Sequence, residues 1–155
     1  MTPLSIQRTQ LESPEATGLI DALNAEITER YPEEGANFFH LDPAEIAPGH
    51  GAFFVAYVEA VAAGCGAVRR LSDDTSEIKR MYVVPALRGR GIARALLTAL
   101  EAEAKSLGLK RLVLETGERQ PEALGLYRQA GFTVIPAYGE YIDAPLSLCM
   151  GKDLS

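Results

Sequence analysis

The stretch Glu77-Ile78-Lys79-Arg80-Met81-Tyr82-Val83-Val84-Pro85-Ala86-Leu87-Arg88-Gly89-Arg90-Gly91-Ile92-Ala93 changes its period in the middle. Glu77 to Val84 is rich in residues that suit a pleated, half-buried surface, and Pro85, which has no N–H to donate, ends it. Beyond Gly91 the period becomes helical, with Ile92, Leu96, Leu100 and Leu107 on one face and Ala93, Leu97 and Ala104 beside them. Glu101 and Lys105 stand four apart in the favourable order, and Gly108 is placed to end the helix. Arg111 to Thr116 is again β-rich. Strand, helix and strand in this order form a βαβ unit, which predicts two parallel strands joined by a right-handed crossing.

Upstream, Ala52–Glu59 and Ala62–Leu71 read as a hairpin turning near Ala60, with Ser72–Ser76 as a polar turn. Thr2–Gln10 alternates weakly and is a candidate first strand. Ser13-Pro14 supplies an N-cap and a first-turn proline, and Leu19, Ile20, Leu23, Ile27 and Tyr31 follow at helical spacing, so a helix is predicted over Ser13–Arg30. Glu33–Gly51 carries two prolines and three glycines and is predicted to be irregular, with one short helix from Asp42. Downstream, Pro121–Ala130 is a short helix stopped by Gly131, and Phe132–Ala137 and Leu146–Gly151 complete the strands. The fold class is α/β (α+β): a mixed, mostly antiparallel central sheet of about six or seven strands with helices on its faces. There is no internal repeat and no linker, so residues 1–155 are expected to form one domain.

Composition sets bounds on function. The 155 residues are 47% hydrophobic and carry a formal charge of −6, which is too apolar for intrinsic disorder. A net acidic chain lacks the excess of Lys and Arg that displaces counterions from phosphate, so no nucleic-acid partner is expected. Ala52–Val68 is the most apolar run, but it contains Glu59 and alternates like sheet, so no membrane span is expected. Cys65 and Cys149 do not make a disulfide framework, and no Cys/His cluster suggests a metal. Met1–Gln10 lacks the apolar run of a signal peptide, which predicts a cytoplasmic protein with free thiols.

The turn Arg88-Gly89-Arg90-Gly91-Ile92-Ala93 has the chemistry of a pyrophosphate cradle. Two glycines allow close backbone approach, amides at the helix start point outward, and Arg88 and Arg90 can fork onto phosphate oxygens. It is neither the dinucleotide fingerprint, since position 94 is Arg, nor a P-loop, since no Gly-Lys-Ser/Thr follows. Taken alone, a tight turn with exposed arginines fits equally well. Context adds to it: the strand Glu77–Pro85, the turn Arg88-x-x-Gly91-x-Ala93, and Ala123-Leu124-x-Leu126-Tyr127-x-x-Ala130-Gly131-Phe132 occur in sequence. Together they resemble the GNAT superfamily of N-acetyltransferases, whose phosphate motif is Arg/Gln-x-x-Gly-x-Gly/Ala. The match covers Glu77–Phe132, and the N-terminal third follows the family only in outline.

The resemblance implies acetyl-CoA as co-substrate, no metal, and a strand pair splayed to admit the pantetheine arm. Backbone groups of Met81 and Val83 would pair with that arm, and amides from Arg88, Gly89, Arg90, Gly91, Ile92 and Ala93 would hold the pyrophosphate. The Met81 amide would polarise the thioester. Glu77 stands where many members carry the base that takes the amine's proton, and Tyr127 where a tyrosine protonates the departing sulfur. Strand alternation puts Glu77, Lys79, Met81 and Val83 on one face and Ile78, Arg80, Tyr82 and Val84 on the other. As a merely structural residue, Glu77 would be an exposed carboxylate paired with Lys79 or Arg111, and Tyr127 would be plain core. Glu115, Thr116, Gly117 and Gln120 can rim the cleft. Tyr138, Glu140, Tyr141 and Asp143 form a loop that can bind an amine by charge and cation–π contact, or simply be solvated. His40 and His50 are alternatives for the base, and Cys65 or Cys149 would be needed for a ping-pong route.

The expected reaction is direct transfer of acetyl, in a ternary complex, to the primary amine of a small molecule, either a simple amine or an amino-acid-like one. The alternatives are acetylation of a protein lysine or N-terminus, and a non-catalytic acyl-CoA sensor. A homodimer is common for the fold it resembles, although nothing in the chain marks an interface.

Overall fold

A computed structural model describes residues 4–32, 41–117 and 121–154. His40 and Gln120, singled out above, lie outside these residues. The strands are β1 (Leu4–Arg8), β2 (Gly51–Val58), β3 (Val61–Arg70), β4 (Thr75–Val83), β5 (Arg111–Gly117), β6 (Thr133–Val134) and β7 (Ser147–Asp153). They form one seven-stranded sheet in the order β1-β2-β3-β4-β5-β7-β6. Every neighbouring pair is antiparallel except β4–β5, the two strands of the βαβ unit.

Among the described residues three α-helices cover the sheet: α1 (Pro14–Arg30), α2 (Ile92–Ser106) and α3 (Pro121–Gln129). Helix α1 starts where the sequence places it, with the Ser13 side chain accepting from the Ala16 amide at 3.2 Å. Its Leu19 and Leu23 pack with Phe53, Val55, Cys65, Ala67 and Tyr82 on one face of the sheet. On the other face Leu97, Leu100 and Ala104 of α2 pack with Val68, Ile78, Leu112, Leu114 and Tyr127. Each fully buried Leu, Val, Ile or Phe among them contributes about 1.5–3 kcal/mol, so the two clusters hold the layers together. The apolar run Ala52–Val68 is the β2–β3 hairpin, turned by Glu59 and Ala60, both at positive φ. No helix among the described residues is long and apolar enough to cross a membrane.

Two details differ from the sequence reading. Strand β6 shrinks to two residues because pairing with β7 continues only to the Ile135 amide, which donates to Cys149 at 3.0 Å, and Pro136 then has no N–H to offer. The second concerns the site directly. Strand β4 does not alternate without interruption: opposite the single residue Gly66 it spends two, Arg80 and Met81, with Arg80 at φ +60°. This is a β-bulge, and it shifts the side-chain phase by one. Glu77 and Lys79 therefore share the α1 face with Tyr82, while Ile78 joins Met81 and Val83 toward α2. The faces assigned by simple alternation are corrected accordingly. A Cβ on Gly66 would stand 2.7 Å from the Met81 sulfur, so a larger residue there would require the Met81 side chain to move.

Candidate active site

Strands β4 and β5 pair only from Thr75–Arg111 to Ile78–Leu114. Past that point β4 runs on to Val83, while Glu115, Thr116 and Gly117 stay paired with β7, so the two strands part. The Val84 amide donates to Ala63 of β3, so alternation turns the backbone groups of Val83 into the gap, one residue pair beyond the bulge at Arg80 and Met81. Around this gap lies a cleft of about 490 Å³, a size usual for small-molecule sites. Its floor is Ile78–Val83 and Leu114–Gly117, and its walls come from α1, the start of α2, and α3.

At one end stands the glycine turn. Gly89 and Gly91 have φ of +80° and +82°, and Gly91 caps α2 without a side-chain hydrogen bond. The first intrahelical bond runs from Ala95 to Gly91, so the amides of Ile92, Ala93 and Arg94 have no acceptor within the helix and carry the positive end of its dipole. The two glycines are demanded by conformation, not by crowding, because the space a Cβ would fill is open at both. Gly91→Ala should therefore cost about 1–2 kcal/mol, lowering the melting temperature by roughly 2–8 °C. Gly18→Ala, in open space on α1, should not lower it. A thermal melt of both variants checks this.

Of the residues assigned to phosphate and pantetheine, Met81, Val83, Arg88, Gly89, Gly91, Ile92 and Ala93 line the cleft. Arg90 is exposed and is not part of the lining; Arg94, one position beyond the motif, lines it instead. Arg88 is held by three contacts: Nε donates to the Val83 carbonyl at 2.9 Å, Nη2 meets Glu26 of α1 at 2.7 Å, and the guanidinium lies 5.6 Å from the Tyr82 ring centroid.

Tyr127 reaches the cleft from α3. It is buried, edge-on to Phe132 with centroids 5.7 Å apart. Burial above all, and the nearby Glu115 carboxylate, push its phenol well above the usual tyrosine range, so it stays protonated near neutrality.

Glu77 is placed differently from the exposed carboxylate considered above. It is 0% exposed and does not line the cleft. Its partner is Arg69 of β3, opposite it in register, whose Nε and Nη2 donate to Oε1 at 2.8 and 2.7 Å. Arg69 also pairs with Glu45, in the single-turn 3-10 helix Pro43–Ile46, whose N-cap is Asp42. The Tyr138 hydroxyl donates to Glu77 Oε2 at 2.7 Å, and Tyr141 is hydrogen-bonded to the same carboxylate. Burial first, then Glu77, raises both phenols. Tyr141 does line the cleft, so Glu77 touches it through one hydroxyl.

The α1 side of the cleft forms a chamber whose residues are largely those the sequence reading passed over or placed low: Leu23, Ile27, Arg30, Tyr31, Lys79, Arg80, Glu115, Tyr141 and Ser147. Glu115 accepts from the Ser147 hydroxyl at 2.6 Å. Tyr31 closes over the end of β5, its hydroxyl 1.7 Å from where a Cβ on Gly117 would stand. That glycine was the available signal. Glu140 and Asp143 are exposed and do not line the cleft, so they give no support to a preference for a cationic amine. His50 is exposed, and neither it nor Cys65 nor Cys149 lines the cleft. Burial pushes the Cys65 thiol up to about 12 and raises that of Cys149, leaving both poor nucleophiles.

Comparison with known proteins agrees with this geometry. The Acetyltransferase (GNAT) family matches residues 16–132. An IAA acetyltransferase of Azospirillum brasilense is 39% identical over 140 residues, covering 88% of each chain. A crystal structure from Klebsiella pneumoniae, described as an acyl-CoA N-acyltransferase, superposes with a TM-score of 0.81 at 31% identity and covers 98% of each chain. A GNAT family acetyltransferase from Elizabethkingia anophelis with acetyl-CoA bound shares the fold, with a TM-score of 0.68 at 19% identity over 97% of each chain. With its splayed β4–β5 pair, its glycine turn at a helix start and this match over most of its length, the chain belongs to the GNAT family of acetyltransferases.

Proposed function

We propose that the protein transfers acetyl from acetyl-CoA to the primary amine of a small molecule, with both substrates bound at once. The observation that carries this reading is the parting of β4 and β5 after Ile78–Leu114, which opens a slot between the glycine turn and the α1-side chamber. The acetyl-CoA-bound structure of the same fold supports that co-substrate. The Azospirillum relative, named for one acceptor, supports a small one.

In this reading the amides of Ile92, Ala93 and Arg94, with the turn from Arg88 to Gly91, hold the pyrophosphate. Backbone groups of Met81 and Val83 align the pantetheine arm, and the Met81 amide donates to the thioester oxygen as negative charge grows there. Such a fixed donor contributes about 3 kcal/mol. The amine nitrogen bonds to the carbonyl carbon as the carbon–sulfur bond breaks. Tyr127 gives its proton to the departing sulfur and regains one from solvent. The proton lost by the amine passes to the Tyr141 hydroxyl, which hands its own to Glu77. Glu77 is thus the base in this scheme, acting through Tyr141 because it does not face the cleft.

Release of CoA thiol from acetyl-CoA, with pooled small amines in one set of assays and lysine-containing peptides in another, tests the reading. Turnover confined to the small-amine pools is the expected result. Turnover with peptides alone would move the acceptor to a protein, and acetyl-CoA binding without release from any pool would favour a sensor.

A further inference from the structure

We infer that Arg88 plugs the slot that the pantetheine arm enters: its side chain holds the Val83 carbonyl, and the arm must displace it to bind. The inference rests on the acetyl-CoA reading of the cleft and goes beyond it. Where β4 and β5 part, the edge of β4 loses its neighbour, and past the bulge the backbone groups that face the gap are those of Val83. Val83 is buried, and a buried carbonyl needs a donor. The glycine turn supplies one, since Arg88 Nε donates to the Val83 carbonyl at 2.9 Å. This N–H takes the part that an amide of a paired strand would play. A pantetheine arm lying along β4 as an added strand brings an amide N–H to the same oxygen. The two donors compete.

The plug is also held from its far side. Arg88 Nη2 meets Glu26 of α1 at 2.7 Å, with the two side chains 33% and 22% exposed, and the guanidinium lies 5.6 Å from the Tyr82 ring centroid. Nε and Nη2 together form the edge with which a guanidinium forks onto an anion. Here that edge is divided between a carbonyl of β4 and a carboxylate of α1, so the side chain bridges the cofactor slot and the opposite wall. Glu26 acts as the latch. A ligand that binds only the unplugged form has its apparent affinity reduced by the fraction of molecules in that form. Loosening the latch should therefore tighten binding of the arm, a sign that a merely structural ion pair would not give.

The test follows the Arg88 Nε–H by NMR of the nitrogen-15-labelled protein, assigned by its absence from Arg88→Met, while the two halves of the cofactor are added separately. Acetyl-pantetheine, which has the arm and no pyrophosphate, should shift the Arg88 signal. ADP, which has the pyrophosphate and no arm, should shift the Gly89 and Gly91 amides and leave Arg88 in place. Acetyl-pantetheine should bind Glu26→Gln and Arg88→Met roughly three- to tenfold more tightly than wild type, because fewer molecules are plugged. The same spectra identify a variant that fails to fold, and Glu26→Gln leaves the Arg88 stem in place. An Arg88 signal that ADP moves, or that acetyl-pantetheine leaves alone, would overturn the inference, as would unchanged or weaker binding of acetyl-pantetheine to the folded variants. Acetyl-CoA that shifts Gly89 and Gly91 while Arg88 stays put would overturn it and leave the cofactor reading intact. Acetyl-CoA that shifts none of the three would overturn both.

Discussion

Tyr127→Phe is expected to lower kcat by roughly ten- to ten-thousandfold, the usual worth of a positioned general acid. The substitution removes one oxygen and keeps the ring, so the edge-on contact with Phe132 and the packing against Leu112 and Leu114 survive. The phenol suits the role because it does not ionise near neutrality: burial, then Glu115, hold its pKa above the ordinary tyrosine value. Tyr127 then stays in its donating form throughout the working range, and the fall in kcat should be similar from pH 6 to pH 9. Steady-state kinetics with a thermal melt of the same sample check this. A fall in kcat with an unchanged melting temperature is expected, whereas loss of both would reduce Tyr127 to a core residue.

The largest effect on stability should come from Arg69→Met. Arg69 is the cation for Glu77, a carboxylate with no exposure, and it also ties Glu45, and with it the 3-10 turn before β2, to the sheet. Removing one partner of a buried pair leaves an uncompensated charge and costs about 3–5 kcal/mol. For a chain of this size that is roughly 6–20 °C in melting temperature. Tyr138 and Tyr141 still donate to Glu77 in the variant, but neutral donors replace only part of a bidentate guanidinium. Adding Glu77→Leu should restore much of the loss, because an apolar pair of similar volume carries no buried charge. Calorimetry of the single and double variants checks the account. A single variant as stable as wild type would mean that Glu77 finds its compensation elsewhere.

The parts of this site that lie close together in sequence were legible there. Pro85 closing a strand, two glycines opening a helix, and Ser13 capping α1 are local decisions, and the structure follows each of them. The splay itself was implied only by family resemblance. The bulge was hidden for a physical reason. Left-handed backbone usually advertises itself as glycine, but here the strained position is an arginine, and the residue opposite it on β3, Gly66, gives no signal in the sequence around Arg80. One unmarked residue shifted every face assignment after it. The partner of Glu77 was missed although it is only eight residues away. Counting back across the Ser72–Ser76 turn pairs Glu77 with Arg69, but only once the hairpin register is known. Tyr141 and Ser147 reach the cleft from far along the chain, and no spacing in the sequence brings them to Glu77 and Glu115.

The most direct measurement supplies acetyl-CoA labelled with carbon-13 in the acetyl group to the purified protein together with an amino acid, and follows the label by mass spectrometry. The account predicts labelled amide on the small molecule, formed only with the protein present and strongly reduced in Tyr127→Phe, with no label on the protein itself. Label accumulating on Cys149 or Cys65 before it reaches the amine would contradict direct transfer, and bound acetyl-CoA that never gives up its label would contradict the enzyme.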